Sequence, residues 1–355
     1  MPQVALHEAS MLQTDLTGRG RPVLVALFVT GLALVAWRLS DLVLLAFGGV
    51  LVAVLLRHLA VLLSRWIPLP VGASLAVVVL GLALLTGAFV ISVGPRVASQ
   101  FDQLWQSLPQ AIASVRQYAS RYGWARDLLE AGGQPRVGTL FNLATGLAGT
   151  VFSALTDALM VLVVALFLAA DPAPYRRGLL YLVPVAGRPR GVKVLDALGR
   201  GLWNWIIGQS VAMLCVGAIT ATGLLILGIP LALALGIIAG LLNFIPYLGP
   251  ILSGVPAVLI AFTQSPGDAL NTLLLFVLIQ NIEGYVLTPM LQRRAVSIPP
   301  ALGIVAIVGL GSLFGIYGVL FGTPLLLVIM ILVWMLYVED SLNSVSRSDH
   351  AGETQ

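Results

Sequence analysis

Between Arg200 and Asp268 the chain carries no Asp, Glu, Lys or Arg, and the same holds between Arg294 and Glu339. About 20 apolar residues cross the hydrocarbon core of a bilayer as a helix. Each stretch is therefore long enough to enter the membrane twice. With 59% hydrophobic and 10% charged residues and a mean hydropathy of +0.99, the chain lies outside the range of soluble globular proteins. Its blocks are apolar on every face, where a membrane β-strand would alternate. The expected fold is all-α: a polytopic helical membrane protein with about six full spans, two broken or re-entrant helical hairpins and one external amphipathic helical segment.

The spans fall at 22–37, 42–63, 71–93, 150–170, 203–228 and 267–288, with further apolar blocks at 231–263 and 300–337. Six regions result: a cytoplasmic N-terminal segment (1–21), three transmembrane helices (22–93), an extramembrane segment (94–149), a fourth span with its basic connection (150–202), a transport core with two broken hairpins (203–338) and a polar C-terminal tail (339–355). The first apolar stretch follows Arg19 and Arg21, offers no small-residue cleavage site and reads as a retained signal anchor. Placing those arginines inside puts 94–149 outside and returns Arg176, Arg177, Arg188, Arg190, Lys193 and Arg200 to the cytoplasm, in line with the positive-inside bias. Both termini are then cytoplasmic.

In the external segment Phe101, Leu104, Leu108, Ile112, Val115, Tyr118 and Tyr122 recur at steps of three or four, the pattern of an amphipathic helix. Ser107 before Pro109 reads as a helix start that divides it. Packing on the chain's own spans or on the bilayer surface is one role for such a helix; a lid or partner-binding arm is the other. The stretch EAGGQPRVGT after it reads as a linker.

The string NFIPYLGP, residues 243–250, places Pro246, Gly249 and Pro250 in the middle of an apolar block. Each proline lacks an N–H and obstructs the carbonyl one turn earlier, so a continuous helix is not expected there. The flanking arms, 231–245 and 251–263, are each roughly 20 Å long, short of a core of roughly 30 Å. Two half-length arms meeting at a turn fit better, and the turn must be buried in protein or line a wet cavity. The block at 300–337 repeats the pattern. Ile-Pro opens both blocks (Pro230, Pro299), Phe244 and Phe314 precede Tyr247 and Tyr317 by three, and Gly-x-Pro follows in each. Gln209 and Gln280 lie in the spans preceding the two blocks, and positive-inside counting gives the blocks opposite orientations. Inverted repeats with interrupted helices are a recurrent transporter architecture.

These residues carry a resemblance. GLLNFIPYLGPILSGVPA, QNIEGYVLTPMLQRRAVSIPP and GIYGVLFGTPLLL are similar to the autoinducer-2 exporter (AI-2E) family of bacterial permeases, over roughly residues 20–340 and most strongly after 200. The resemblance implies an inner-membrane transporter of small molecules or ions, with some members linked to export of the signal autoinducer-2 and others to sodium/proton antiport. By position it implicates Asn243, Pro246, Tyr247, Gly249, Pro250, Gln280, Glu283 and Pro289. Pro300, and the "SI" before the prolines, depart from the family pattern.

Glu283 lies inside the end of its span, where a carboxylate is expensive unless paired, protonated or hydrated. It reads either as a proton or cation coupling site helped by Gln280 and Asn281, or as a group reaching Arg293 or Arg294 to hold the helix end. Asp157 is a secondary candidate in the fourth span. Asn243 and Tyr247 bracket the first break and could bind a cation or polar solute, or only cap and pack; Tyr317 holds the matching place in the second block. Trp203 and Trp205 read as interfacial anchors.

The arginines are spread over loops without forming a stripe, so no nucleic-acid partner is expected. Cys215 stands alone, and His7, His58 and His350 lie near termini or a span end, so neither a metal site nor an enzyme centre is expected. The only lysine, Lys193, is followed by valine, which excludes a Walker A motif; no cofactor is expected. Partners are then a small polar solute, protons or sodium, and the bilayer, with glycine-rich faces suited to a homo-oligomer. A non-transporting membrane scaffold is the reading from another class.

Overall fold

The computed structural model describes residues 39–121, 156–287 and 299–338. The expected first span at 22–37, the linker, Pro289, Arg293, Arg294 and the tail lie outside them. Among the described residues all regular structure is helical. Five helices are long and apolar enough to cross a membrane, or six if a bent pair counts as one span.

Helices α1 (Ser40–Trp66) and α3 (Thr156–Ala170) touch along a glycine pair, since a Cβ on Gly49 would lie 2.5 Å from Val164 Cγ1. Gly48 faces Phe321 in the same way, at 2.8 Å. The Arg57 guanidinium donates to the carbonyls of Ala169 at 3.0 Å and Ala170 at 3.2 Å. Those oxygens are orphaned at the end of α3, and the cation sits where the helix dipole favours it. The chain then bends by 88° into α4 (Ala173–Tyr181).

Helix α2 (Val71–Ala119) corrects two expectations at once. The span and the external amphipathic segment form one helix of 49 residues, about 73 Å long. Pro95 and Pro109 both lie within it. Ser107 does not start a new helix, because its hydroxyl donates back to Gln103 O at 2.6 Å and Leu104 O at 3.1 Å. The far half is held by packing on the chain itself: Leu104 and Ala111 are buried against Ile229, Leu235, Ile260 and Ala261. Gln100 Oε1 accepts the N–H of Ala234 at 2.9 Å, satisfying a donor in the first turn of another helix.

The basic connection also turns out differently. Helix α5 runs from Arg188 to Ile226, so its charged start and the expected span are continuous, with Pro189 in the first turn where no donor is lost. Against α5 lies α6 (Ala232–Leu242), whose Gly236 and Gly240 stand four residues apart. A Cβ at Gly236 would come within 2.5 Å of the Ala221 Cβ, and one at Gly240 within 2.8 Å of Met213 O. Small residues spaced in this way let two membrane helices pack backbone to backbone. Part of the glycine face that the sequence offers for self-association is thus used inside one chain.

Helix α7 (Leu248–Gln264) folds back on α6, and Gln264 Nε2 donates to Gly228 O at 3.3 Å across the open end. Helix α8 (Pro266–Ile282) follows, capped by Ser265 Oγ on the N–H of Asp268 at 3.0 Å, and passes into a π-helical turn, Glu283–Leu287. The last element, α9 (Pro300–Val333), would span about 51 Å if straight. It is not straight. Gly315 has φ 60°, ψ −139°, and beyond it the chain returns along its first arm: a Cβ on Gly311 would meet Val319 Cγ2 at 2.5 Å, and one on Gly322 would meet Ile307 Cα at 3.2 Å.

Two hairpins result, and they enter from opposite ends of α5. The first opens beside Gly228, just past Ile226. The second opens at the other end, where Ile331 packs on Gly201 and the Arg190 guanidinium donates to Met335 O. Their breaks share one core. Phe244 of the first and Phe314 and Tyr317 of the second pack around the cluster that contains Trp205, Phe321 and Leu327. Trp205 is therefore buried, 5.7 Å from the Phe244 ring, and is not an interfacial anchor; Trp203 stacks on His58 at 4.5 Å.

Candidate functional site

The first break is a turn of unusual backbone. Tyr247 has φ 67°, ψ −45°, and the N–H of Leu248 donates to Pro246 O at 2.8 Å, a γ-turn with a non-glycine residue at positive φ. Such conformations cost roughly 1–3 kcal/mol and persist only where the surroundings enforce them. Gly249 provides one constraint: a Cβ there would overlap Leu242 O, so the second arm can approach the end of the first only at glycine. Gly318 stands in the same relation to Leu310 O in the second hairpin.

At the turn, Asn243 is only 1% exposed. Its backbone oxygen accepts from Gln209 Nε2 at 2.6 Å, and its Nδ2 donates to Glu283 Oε1 at 3.0 Å. Gln280 Nε2 donates to the other oxygen, Oε2, at 3.3 Å. Gln280 and Glu283 are three residues apart, hence on one face of α8. A buried amide at the break, a glutamine on α5 and a carboxylate at the end of α8 thus form one connected centre. The partners of the carboxylate among the described residues are amides, not bases. Asn243 Oδ1 is buried and has no hydrogen-bond partner there.

The depth of this centre follows from α5. Gln209 lies about 14 Å along the helix from Arg200, the last charge, and about 26 Å from Ile226. The first break therefore sits well inside the uncharged length of α5.

Not every expected residue joins it. Asn281 is exposed and its Nδ2 donates to Val277 O at 2.7 Å, so it does not reach the carboxylate. Tyr317 belongs to a second pair: its hydroxyl donates to Asp157 Oδ2, joining the second break to α3. Pro246 supplies the carbonyl that closes the γ-turn. Tyr247 and Pro250, together with Gln280, line a groove of about 660 Å³ between α7 and α8. The Tyr247 ring also reaches the second hairpin, with its Cε2 3.4 Å from where a Gly303 Cβ would stand. Gln100 and Trp205 are the positions that sequence reasoning did not place here. Gln100 holds the start of α6 from 134 residues away, and no local pattern signals such a contact.

Residues 23–337 match the family model described as AI-2E family transporter. YueF of Bacillus subtilis (strain 168), named as a candidate transport protein, is 28% identical over 256 residues, 67% of this chain and 69% of YueF. A second candidate transport protein of that strain, YrrI, is 31% identical over 47% of each chain. The AI-2 transport protein TqsA of Escherichia coli (strain K12) is 21% identical over 79% of this chain and 82% of its own length. With multiple apolar helices long enough to cross a bilayer and a family match over most of its length, the chain is a multi-pass membrane permease and belongs to the AI-2E transporter family.

Proposed function

We propose that this permease is a secondary transporter that exports a small polar solute, of the kind the name of TqsA indicates, from the cytoplasm across a bacterial inner membrane. In this reading residues 203–338 form the transport core, both termini are cytoplasmic, and the oppositely directed hairpins alternate access to the Asn243–Glu283 centre. The observation that carries it is the bond between the amide at the first break, which Gln209 holds well inside the uncharged length of α5, and the Glu283 carboxylate just past the end of α8. Inserting a charge at such depth costs roughly 2.5–3.5 kcal/mol on the insertion scale. Hydrogen bonds to a charged group return about 1.5–3 kcal/mol each. The two amide bonds and the insertion penalty are of one order, so a proton, cation or solute donor arriving at Glu283 decides the state of the site.

Asn243 Oδ1 favours a second reading, sodium/proton antiport. A buried acceptor without a partner beside a carboxylate offers hard oxygen ligands, the donors that hard cations take.

Purified protein in liposomes should accumulate solute or sodium when a proton gradient is imposed, and accumulation should collapse when an ionophore dissipates the gradient. Accumulation of sodium alone would select the antiport reading. Absence of flux for every solute and for sodium would leave the chain as a scaffold and overturn both.

A further inference from the structure

Between α7 and α8 lies the groove of about 660 Å³, with Tyr247 and Gln280 among its lining residues. That volume is in the range of small-molecule sites, roughly 300–1,000 Å³. Its walls are Ile251, Val255, Val258, Leu273, Phe276 and Val277, all apolar. Gly254 leaves room at the floor, since a Cβ there would stand 3.2 Å from Phe276 Cδ1. The mouth faces outward: Ile251, Val255 and Val277 are 62%, 55% and 50% exposed. Along α7 the lining runs from Pro250 to Leu259, about 14 Å.

One end of this apolar groove is polar. Tyr247 and Gln280 line it, and the Gln280 amide nitrogen is the one that donates to Glu283 Oε2. No lining residue is basic. The arrangement has the polarity of an amphiphile: an apolar slot with an exposed mouth that ends at Tyr247 and Gln280, with the Glu283 carboxylate one hydrogen bond behind the Gln280 amide. The same carboxylate disfavours a fatty acid, or a lipid whose head is anionic, at that end, because like charges at close range repel.

We infer that the α7–α8 groove is a binding site for a single-chain amphiphile with a cationic amine head, its chain along Val255, Val258 and Phe276 and its head at Tyr247 and Gln280, held by the charge of Glu283 behind them. The inference rests on reading the Glu283 centre as a solute site and gives that site a lateral entrance from the bilayer. Solutes with an apolar arm then reach the carboxylate without crossing a headgroup layer.

The test is photolabelling in phosphatidylcholine nanodiscs with two probes that differ only in the head, a diazirine-bearing dodecylamine and a diazirine-bearing dodecanoic acid. Labelled residues are mapped by mass spectrometry. The amine should label Val255, Val258 and Phe276 roughly tenfold more than the acid does, the ratio expected for a modest charge preference. Val255→Trp and, independently, Leu273→Trp fill the slot and should remove this labelling. Glu283→Gln should keep the labelling and erase the difference between the two heads. Equal labelling of the wild-type groove by amine and acid would overturn the assignment. So would label spread evenly over the exposed α2 residues Leu84, Leu85 and Ile91, which marks annular lipid, or cross-linking of two copies through α7, which marks a second chain as the occupant. The comparison of heads on the wild-type protein decides even if a tryptophan variant fails to fold. Selective labelling of a protein that carries no flux would keep the groove and remove the transport reading, so the two fail separately.

Discussion

Replacing Glu283 by glutamine is expected to reduce gradient-driven flux in proteoliposomes by about a hundredfold, the factor to which roughly 2.8 kcal/mol of lost charge interaction corresponds. The fold should survive the change. A glutamine side chain still offers an oxygen to Asn243 Nδ2, and Gln280 can turn its own oxygen toward the new amide nitrogen, so both hydrogen bonds are retained without a buried charge. Thermal unfolding should therefore stay within a few degrees of wild type while coupling disappears. Unchanged flux in the variant would remove Glu283 from the mechanism. Loss of flux together with loss of folding would assign it a structural role.

The second large effect belongs to Gly249→Ala. An added methyl would overlap Leu242 O and lie 2.6 Å from Leu242 C and 2.9 Å from Asn243 N, all backbone atoms that no rotamer change can move. Overpacking of that kind costs about 3 kcal/mol or more, the upper end of the usual range. The apparent Tm should fall by roughly 5–10 °C for a chain of this size. Gly318→Ala should behave alike, because its methyl would overlap Leu310 O. Gly72 and Gly81 provide the contrast. Nothing lies within 4 Å of a methyl at either, and an alanine there should be neutral or raise stability by up to about 1 kcal/mol. If Gly249→Ala unfolds no earlier than Gly81→Ala, the tight turn described above does not exist.

The first hairpin is legible in the sequence because Pro246 cannot continue a helix, although Pro250 is accommodated in the first turn of α7, and the second is legible because Ile-Pro, Phe-x-x-Tyr and Gly-x-Pro recur in order, although its break falls at Gly315. The opposed entry of the two blocks is legible from the placement of arginines. The continuity of α2 is not. Proline rules break the helix at Pro109, whereas burial of Leu104 and Ala111 against the first hairpin holds it together, and that contact is invisible to any local window. Trp203 and Trp205 show the same limit, as two neighbours at a span end of which one stacks on His58 and the other enters the core. Spacing does separate Gln280 from Asn281: around the helix the first lies about 60° from Glu283 and the second about 160°. The pairing of Tyr317 with Asp157 joins residues 160 apart, beyond the reach of periodicity.

The most direct measurement is difference infrared spectroscopy of the protein in liposomes across an acid step, in H2O and in D2O. A carboxyl band that appears on acidification, shifts in D2O and is missing from Glu283→Gln is the expected result, because it shows a proton reaching the group that holds the first hairpin break. Identical spectra for the wild type and the variant would mean that no proton exchanges at Glu283, and would contradict coupling through this site.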